Sequence, residues 1–287
     1  MANIRLIKGR IKSAKNIAQI TKAMELVAAS KMKKAQAAAL AGKLYAQKIY
    51  DMVMELGATT EAGSHPLMQK PKDVVGKRLV VVITTNKGLA GGLNANLFRF
   101  LLREYQALAK NDFIAIGRKG ADFLSRMGAP LVADFSTTLP FGNAVPAIIE
   151  LATQEFLSGK YDGVDLVYSE FFSALKQTPR KKTIVPLTLE TVSQAEAHSS
   201  NVAEFLIEPS RDEVFNLLIP HYVENQVRDA ILQAEASEHS ARMVAMRNAT
   251  DNALSLMDSL TIMYNKARQE KITYEILDIV TARLAVE

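Results

Sequence analysis

The 287-residue sequence has no cysteine and no tryptophan. Without thiols there is no disulfide, thiolate metal site, cysteine nucleophile or thiol redox control, and the chain suits a reducing compartment. No apolar run reaches the ~18 residues of a membrane span, and the opening MANIRLIKGRIKSAK is charged at every second or third position, unlike a signal peptide. The chain therefore reads as soluble, with no direct membrane span. Proline and glycine are scarce at both ends. Residues 1–56 contain no proline and only Gly9 and Gly42, and neither residue type occurs after Pro220. Catalytic patterns are missing as well. His65, His198, His221 and His239 form no HxxxH or HExxH pair, GxSxG is absent, and the acids suggest no carboxylate pair. The expectation is no catalytic residue, no metal and no cofactor.

What fills the ends is Ala, Lys, Met, Gln and Leu, all good helix formers. At 1.5 Å per residue, a helix over 1–56 would span about 80 Å and one from 220 onward about 100 Å, lengths that no compact domain of this size requires. In the first segment a 3–4 spacing runs through Ile4, Ile7, Ile11, Ala14, Ala18, Thr21, Glu25, Ala28, Met32, Ala35, Ala39, Gly42, Ala46, Ile49, Val53 and Leu56, a coiled-coil seam whose alanines imply close approach of a partner. A second apolar row, Ile17, Ile20, Met24 and Val27, covers another face, and one helix cannot bury both. In the last segment Val227, Ala230, Ala234, Ala241 and Val244 keep the spacing, and Ala253, Leu256, Leu260, Met263 and Ala267 resume it after a break near Asn248. Residues 1–56 carry eleven Lys or Arg against three acids, whereas 211–287 carry eight against twelve. The two ends are thus electrostatically complementary. The economical architecture is an antiparallel coiled coil of the chain's own ends with the middle inserted between them, homodimeric pairing being the alternative. Pro220 should kink the last helix or mark its true start, which places that helix mainly after it.

The middle changes character. Pro66, Pro71 and KPKDVVGK make a linker, and RLVVVITT is a β-branched run of the kind buried in parallel sheets. Strands are expected at 79–84, 113–117, 164–169 and 183–188, with helices near 93–110, 119–127 and 143–158, followed by a polar loop. The predicted organisation is α+β overall: helix 1–57, linker 58–77, an inserted α/β, Rossmann-like domain at 78–192, surface loop 193–210 and helix 211–287.

Two motifs require weighing. Lys87-Gly88-Leu89-Ala90-Gly91-Gly92-Leu93-Asn94 follows the first strand and opens a helix, where a dinucleotide pyrophosphate could sit. It lacks both GxGxxG and GK[ST] spacing, and no acid ends the next strand, so a tight strand-to-helix turn is the preferred reading. Lys31 and Lys33, within Lys31-Met32-Lys33-Lys34, form either a solvated face or a surface for an acidic partner. Nucleic acid and anionic membrane are poorer readings because interleaved aromatics and a bulky apolar face are lacking.

Four blocks carry a family resemblance: ITKAMELVAASKM (20–32), TTNKGLAGGLN (84–94), SEHSARMVAMRNATDN (237–252) and YNKARQEKITYE (264–275). In order and spacing the chain closely resembles the gamma subunits of bacterial F-type ATP synthases, along essentially its whole length. It departs at Ala90, where many members have Cys, and at 281–286, where the usual ending is rich in small residues. It also lacks the cysteine-bearing regulatory insert of the chloroplast relatives. The resemblance implies a central-stalk rotor, not an enzyme in itself, that couples proton flow to ATP synthesis or hydrolysis by rotation. Its helix pair would stand inside the ring of alpha and beta subunits, and its α/β domain at the foot with the epsilon subunit and the c-ring, on the cytoplasmic face of the bacterial inner membrane. By the same resemblance Met24 lies near an acidic loop of beta, and Arg242, Arg268, Gln269, Thr273 and Glu275 make contacts within the shaft or with the head. A free coiled-coil adaptor and, less favoured, a nucleotide-binding α/β enzyme are the rival readings.

Overall fold

The computed structural model describes residues 4–59, 65–69, 74–187, 208 and 210–284. The expected loop at 193–210, apart from 208 and 210, and much of the linker at 58–77 lie outside the described residues. The elements are helix α1 (Ile4–Thr59), strand β1 (Leu79–Ile83), helix α2 (Leu93–Glu104), strand β2 (Asp112–Ile116), helix α3 (Arg118–Arg126), strand β3 (Leu131–Asp134), helix α4 (Val145–Leu157), strands β4 (Val164–Phe171) and β5 (Gln177–Val185), and helix α5 (Arg211–Leu284). They group into two compact units whose limits fall inside the long helices: Met1–Ala29 with Arg242–Glu287, and Ser30–Ala241.

The first unit is an antiparallel helix pair. Thr21 of α1 and Thr250 of α5 share a hydrogen bond between their hydroxyls at 2.7 Å. Counting outward in opposite directions sets Ala18 level with Ala253, Ile11 with Leu260, Ile7 with Tyr264 and Ile4 with Ala267. Burial follows that register. Ile7, Ala14, Ala18 and Ala28 are buried on α1, and Met246, Thr250, Ala253, Leu260 and Ala267 on α5. Met257 and Tyr264 are half-buried, which completes a heptad through 246, 250, 253, 257, 260, 264 and 267. This corrects the seam expected on α5, since Leu256 and Met263 are more than half exposed. Two apolar rows offset by one residue share Ala253, Leu260 and Ala267, and the spacing alone does not rank them.

In the second unit a five-stranded sheet has the order β3-β2-β1-β4-β5. Strands β1 to β4 run parallel, and β5 is antiparallel to β4. Both faces are covered, so β1 is buried along its whole length. Leu97 and Leu101 of α2, with Ala121 and Leu124 of α3, pack on Val80, Val82, Phe113 and Ala115. Across the sheet, Ile148 and Ala152 of α4, Ile49 and Val53 of α1, and Phe215, Ile219 and Val223 of α5 pack on Val81, Ile114 and Leu166. This is a doubly wound α/β sheet in which the C-terminal part of α1 and the N-terminal part of α5 supply part of one helical layer.

Several expectations need correction here. β3 was not foreseen, because it is a four-residue edge strand with little burial and lacks the apolar run of its neighbours. β5 starts at Gln177, earlier than expected. Its charged first half contains Pro179, which an edge strand tolerates because the missing N–H takes no ladder bond there. The helix expected over 93–110 ends at Glu104, and a separate 3-10 turn covers Leu108–Lys110. Pro220 lies inside α5, not at its start. The turns before it are held by tertiary burial of Phe215 and Ile219, which offsets one absent backbone bond.

Candidate subunit-interaction surfaces

The helix pair buries one seam and leaves other apolar surface bare. Ile17, Ile20, Leu26 and Val27 of α1 are each more than half exposed, as the leftover row in the sequence anticipates, while Met24 is half-buried. From 268 to 283 every side chain of α5 is exposed. That stretch includes Ile272, Tyr274, Ile276, Leu277, Ile279 and Val280, so it is apolar on several sides. In the register set by Thr21 and Thr250, Ala267 is level with Ile4. Apolar exposure clustered on this scale is uncommon on a chain that stands alone.

The sequence-derived site residues separate into groups. Met24 and Arg242 lie half-buried in the first unit, and Lys31 and Lys33 are exposed on α1 in the second. Arg268, Gln269, Thr273 and Glu275 come together on successive exposed turns of α5. There the Thr273 hydroxyl donates to the Gln269 carbonyl at 3.0 Å, and Lys271 pairs with Glu275 at 3.3 Å. The apolar residues between 272 and 280 escaped the sequence reading. Their signal was a helix hydrophobic on more than one face, obscured by the interspersed charges.

The glycine-rich turn after β1 is occupied by its own side chains. Thr84 donates its hydroxyl to the carbonyls of Ile116 and Gly117, and Gly120 N–H donates to that hydroxyl at 2.8 Å. Asn86 accepts from Arg118 N–H at 2.7 Å and donates to the Ser136 carbonyl, while Asn94 donates to Thr85. Gly117 has φ +95°, and a Cβ there would lie 2.2 Å from the Thr84 carbonyl oxygen. The backbone segments approach too closely for any other residue. That close approach belongs to Gly117 and Gly120, after β2; in the glycine-rich turn itself Gly91 has φ +57°, and a Cβ at Gly88 would meet nothing within 4 Å.

At the opposite end of the sheet lie two buried ionic clusters that sequence reasoning missed. Arg78 grips the fully buried Asp165 with two bonds, Nε to Oδ2 at 2.6 Å and Nη2 to Oδ1 at 2.7 Å, and Tyr105 and Thr183 add hydroxyl donors at 2.6 Å. Burial alone would raise the Asp165 carboxyl, but the Arg78 pair and the hydroxyl bonds outweigh it and hold the group below the ordinary carboxylate range. Lys77 pairs with Asp112 at 2.8 Å, and Tyr161 donates to Asp112 at 2.6 Å. The available signal was a lone acid within an apolar strand, as in GVDLVYS. Among the described residues no group of His, Asp or Glu side chains is placed to hold a metal ion, and no helix is long and apolar enough to cross a membrane.

Together these features define a class: a coiled-coil subunit bearing a doubly wound α/β domain, with bare apolar helix faces for partners. The family model described as ATP synthase matches residues 3–286. The gamma chain of Opitutus terrae ATP synthase is 44% identical, with 99% of each chain covered, and that of Dehalococcoides mccartyi strain BAV1 is 41% identical over the full length of both. Among solved structures, a chain of the Tetrahymena thermophila mitochondrial ATP synthase central stalk and c-ring is 27% identical with a TM-score of 0.55. It covers 80% of this chain and 99% of the other. A chain of the Euglena gracilis mitochondrial enzyme shares the fold with a TM-score of 0.63 at 22% identity, covering 99% and 94%. The chain belongs to the ATP synthase gamma chain family.

Proposed function

We infer that this chain is the central-stalk rotor subunit of an F-type ATP synthase, transmitting rotation between a proton-driven c-ring and an alpha and beta catalytic head, with epsilon bound beside it. Full-length likeness to curated gamma chains, with likeness over 80% of this chain to a chain of a solved central stalk, supports the role. The observation that carries it is the helix pair that buries one heptad seam and keeps further apolar rows exposed, at Ile17 to Val27 and at Ile272 to Val280. An isolated adaptor gains nothing from such surface, whereas a shaft enclosed by a ring has it covered.

The subunit is non-catalytic in this reading, and its seat is the cytoplasmic face of the bacterial inner membrane. Met24, Lys31 and Lys33 meet acidic surface on beta, while Arg242, Arg268, Gln269, Thr273 and Glu275 make contacts within the shaft or with the head. Rim pairs of this kind are worth about 0.2–1 kcal/mol each, enough to bias orientation and too little to drive rotation. Segments 1–57 and 211–287 form the shaft and 78–192 the domain at its foot. Affinity purification of the tagged chain from solubilised membranes tests the role. Co-purification with alpha, beta, epsilon and c subunits and ATPase activity is expected, and recovery only as a homodimer overturns it.

A further inference from the structure

Four polar side chains of α5 face the β4–β5 ribbon. Lys182 Nζ donates to Gln226 Oε1, and Phe171 N–H donates to Gln233 Oε1 at 3.4 Å. The Ser237 hydroxyl donates to the Ser169 carbonyl at 2.9 Å, and the Ser240 hydroxyl to the Ala174 carbonyl at 2.8 Å. Gln177 braces the same turn, donating through Nε2 to the carbonyls of Ser173 and Ala174 at 3.0 Å and reaching Ser240 Oγ at 3.5 Å. Ser237 and Ser240 are fully buried. At about 100° per residue, positions 226, 233, 237 and 240 lie within roughly 60° of one another, a polar stripe about 21 Å long. Beside it runs an apolar row, Val223, Val227, Ala230 and Ile231, buried in the main core.

The two rows do different work. Apolar packing is non-directional and resists slip weakly, because a neighbouring apolar group can replace the one displaced. A hydrogen bond has a direction, and rotating α5 by one residue would turn both buried serine hydroxyls away from their acceptors. The stripe therefore fixes the angle of α5 about its own axis relative to the ribbon. A shaft that carries torque needs such a keyed joint where its helix meets the domain.

We propose that Gln226, Gln233, Ser237 and Ser240 form the torque-bearing joint between α5 and the α/β domain, positioning residues for coupling that touch neither nucleotide nor proton path. This rests on the rotor reading. The test uses the whole ATP synthase in proteoliposomes, comparing S237A/S240A and Q233L with Q233E, which keeps the acceptor, and I231V, which trims only the neighbouring apolar row. ATP hydrolysis and ATP-driven acidification are measured together. The expected result is an at least twofold fall in acidification per ATP hydrolysed for S237A/S240A and Q233L, with hydrolysis retained, while Q233E and I231V keep the parent ratio. An unchanged ratio in Q233L, or an equal fall in I231V, overturns the joint. If S237A/S240A does not assemble, the Q233L and Q233E pair decides alone. The rotor reading fails separately, if a complex purified without this chain still pumps protons on ATP hydrolysis.

Discussion

Thr21 and Thr250 meet hydroxyl to hydroxyl at 2.7 Å across the antiparallel helix pair. Each also lies within reach of a carbonyl one turn back, Ile17 for Thr21 and Met246 for Thr250, both at 2.9 Å. One proton per hydroxyl means that only one of the two donates across the pair, the other donating along its own helix. This polar contact helps to set the register, because a one-residue slip in either direction takes the two hydroxyls out of line with each other.

Valine at either position should therefore cost about 1 kcal/mol, and valine at both should cost less than the sum. A double-mutant cycle by denaturant unfolding measures the coupling, expected at about 0.5–1 kcal/mol. Strict additivity would mean that the contact does not bear on stability.

The Arg78 and Asp165 pair should show a sharper asymmetry. R78M leaves a fully buried carboxylate without its main counter-ion and should cost about 3–5 kcal/mol in unfolding experiments. R78M/D165N removes the stranded charge and keeps an amide oxygen as acceptor for one of the Thr183 and Tyr105 hydroxyls, and should recover part of that loss. A double variant as unstable as R78M would show that the ion pair itself is not the cause.

Stability should decline at both pH extremes, for separate reasons. For Asp165 and Asp112 burial opposes ionisation, but their Arg78 and Lys77 partners outweigh it and hold both carboxyls below the ordinary 3.8. Their contribution is complete above about pH 4 and is lost as pH falls through the depressed folded values. Tyr161 is pushed up to about 12 from 10.0, first by burial and then by its bond to Asp112. Its contribution is complete below pH 10 and is lost between 10 and about 12. Unfolding curves across pH should show D165N with a flatter acid limb and Y161F with a flatter alkaline one.

How legible the molecule is in its sequence depends on what each residue competes with. The α1 seam can be read residue by residue, since its one apolar row from Ile4 to Leu56 has no rival beyond residues 17 to 27, and every member is buried or half-buried. The α5 seam is harder, because Leu256 and Met263 fit the spacing as well as Met257 and Tyr264, and only the partner's register decides. β1 declares itself through an unbroken β-branched run, whereas β3 and the first half of β5 are edges whose pairing is invisible in their composition. Pro220 misleads because a local backbone rule yields to burial of Phe215 and Ile219. The polar ties at Ser237 and Ser240 are likewise unreadable, since nothing local tells a buried serine from an exposed one. The interaction surface was half legible. Ile17, Ile20 and Val27 stood out as a surplus row, but the bare end of α5 did not, because its charges imitate a solvated helix.

That bare end has a consequence for the cell's supply of this protein. An unassembled copy presents Ile272, Tyr274, Ile276, Leu277, Ile279 and Val280 to water together, on a single helix that other exposed hydrophobic segments can approach. Copies made in excess of their sockets are therefore the ones prone to clump or be degraded, so production must keep pace with that of the subunits that enclose them.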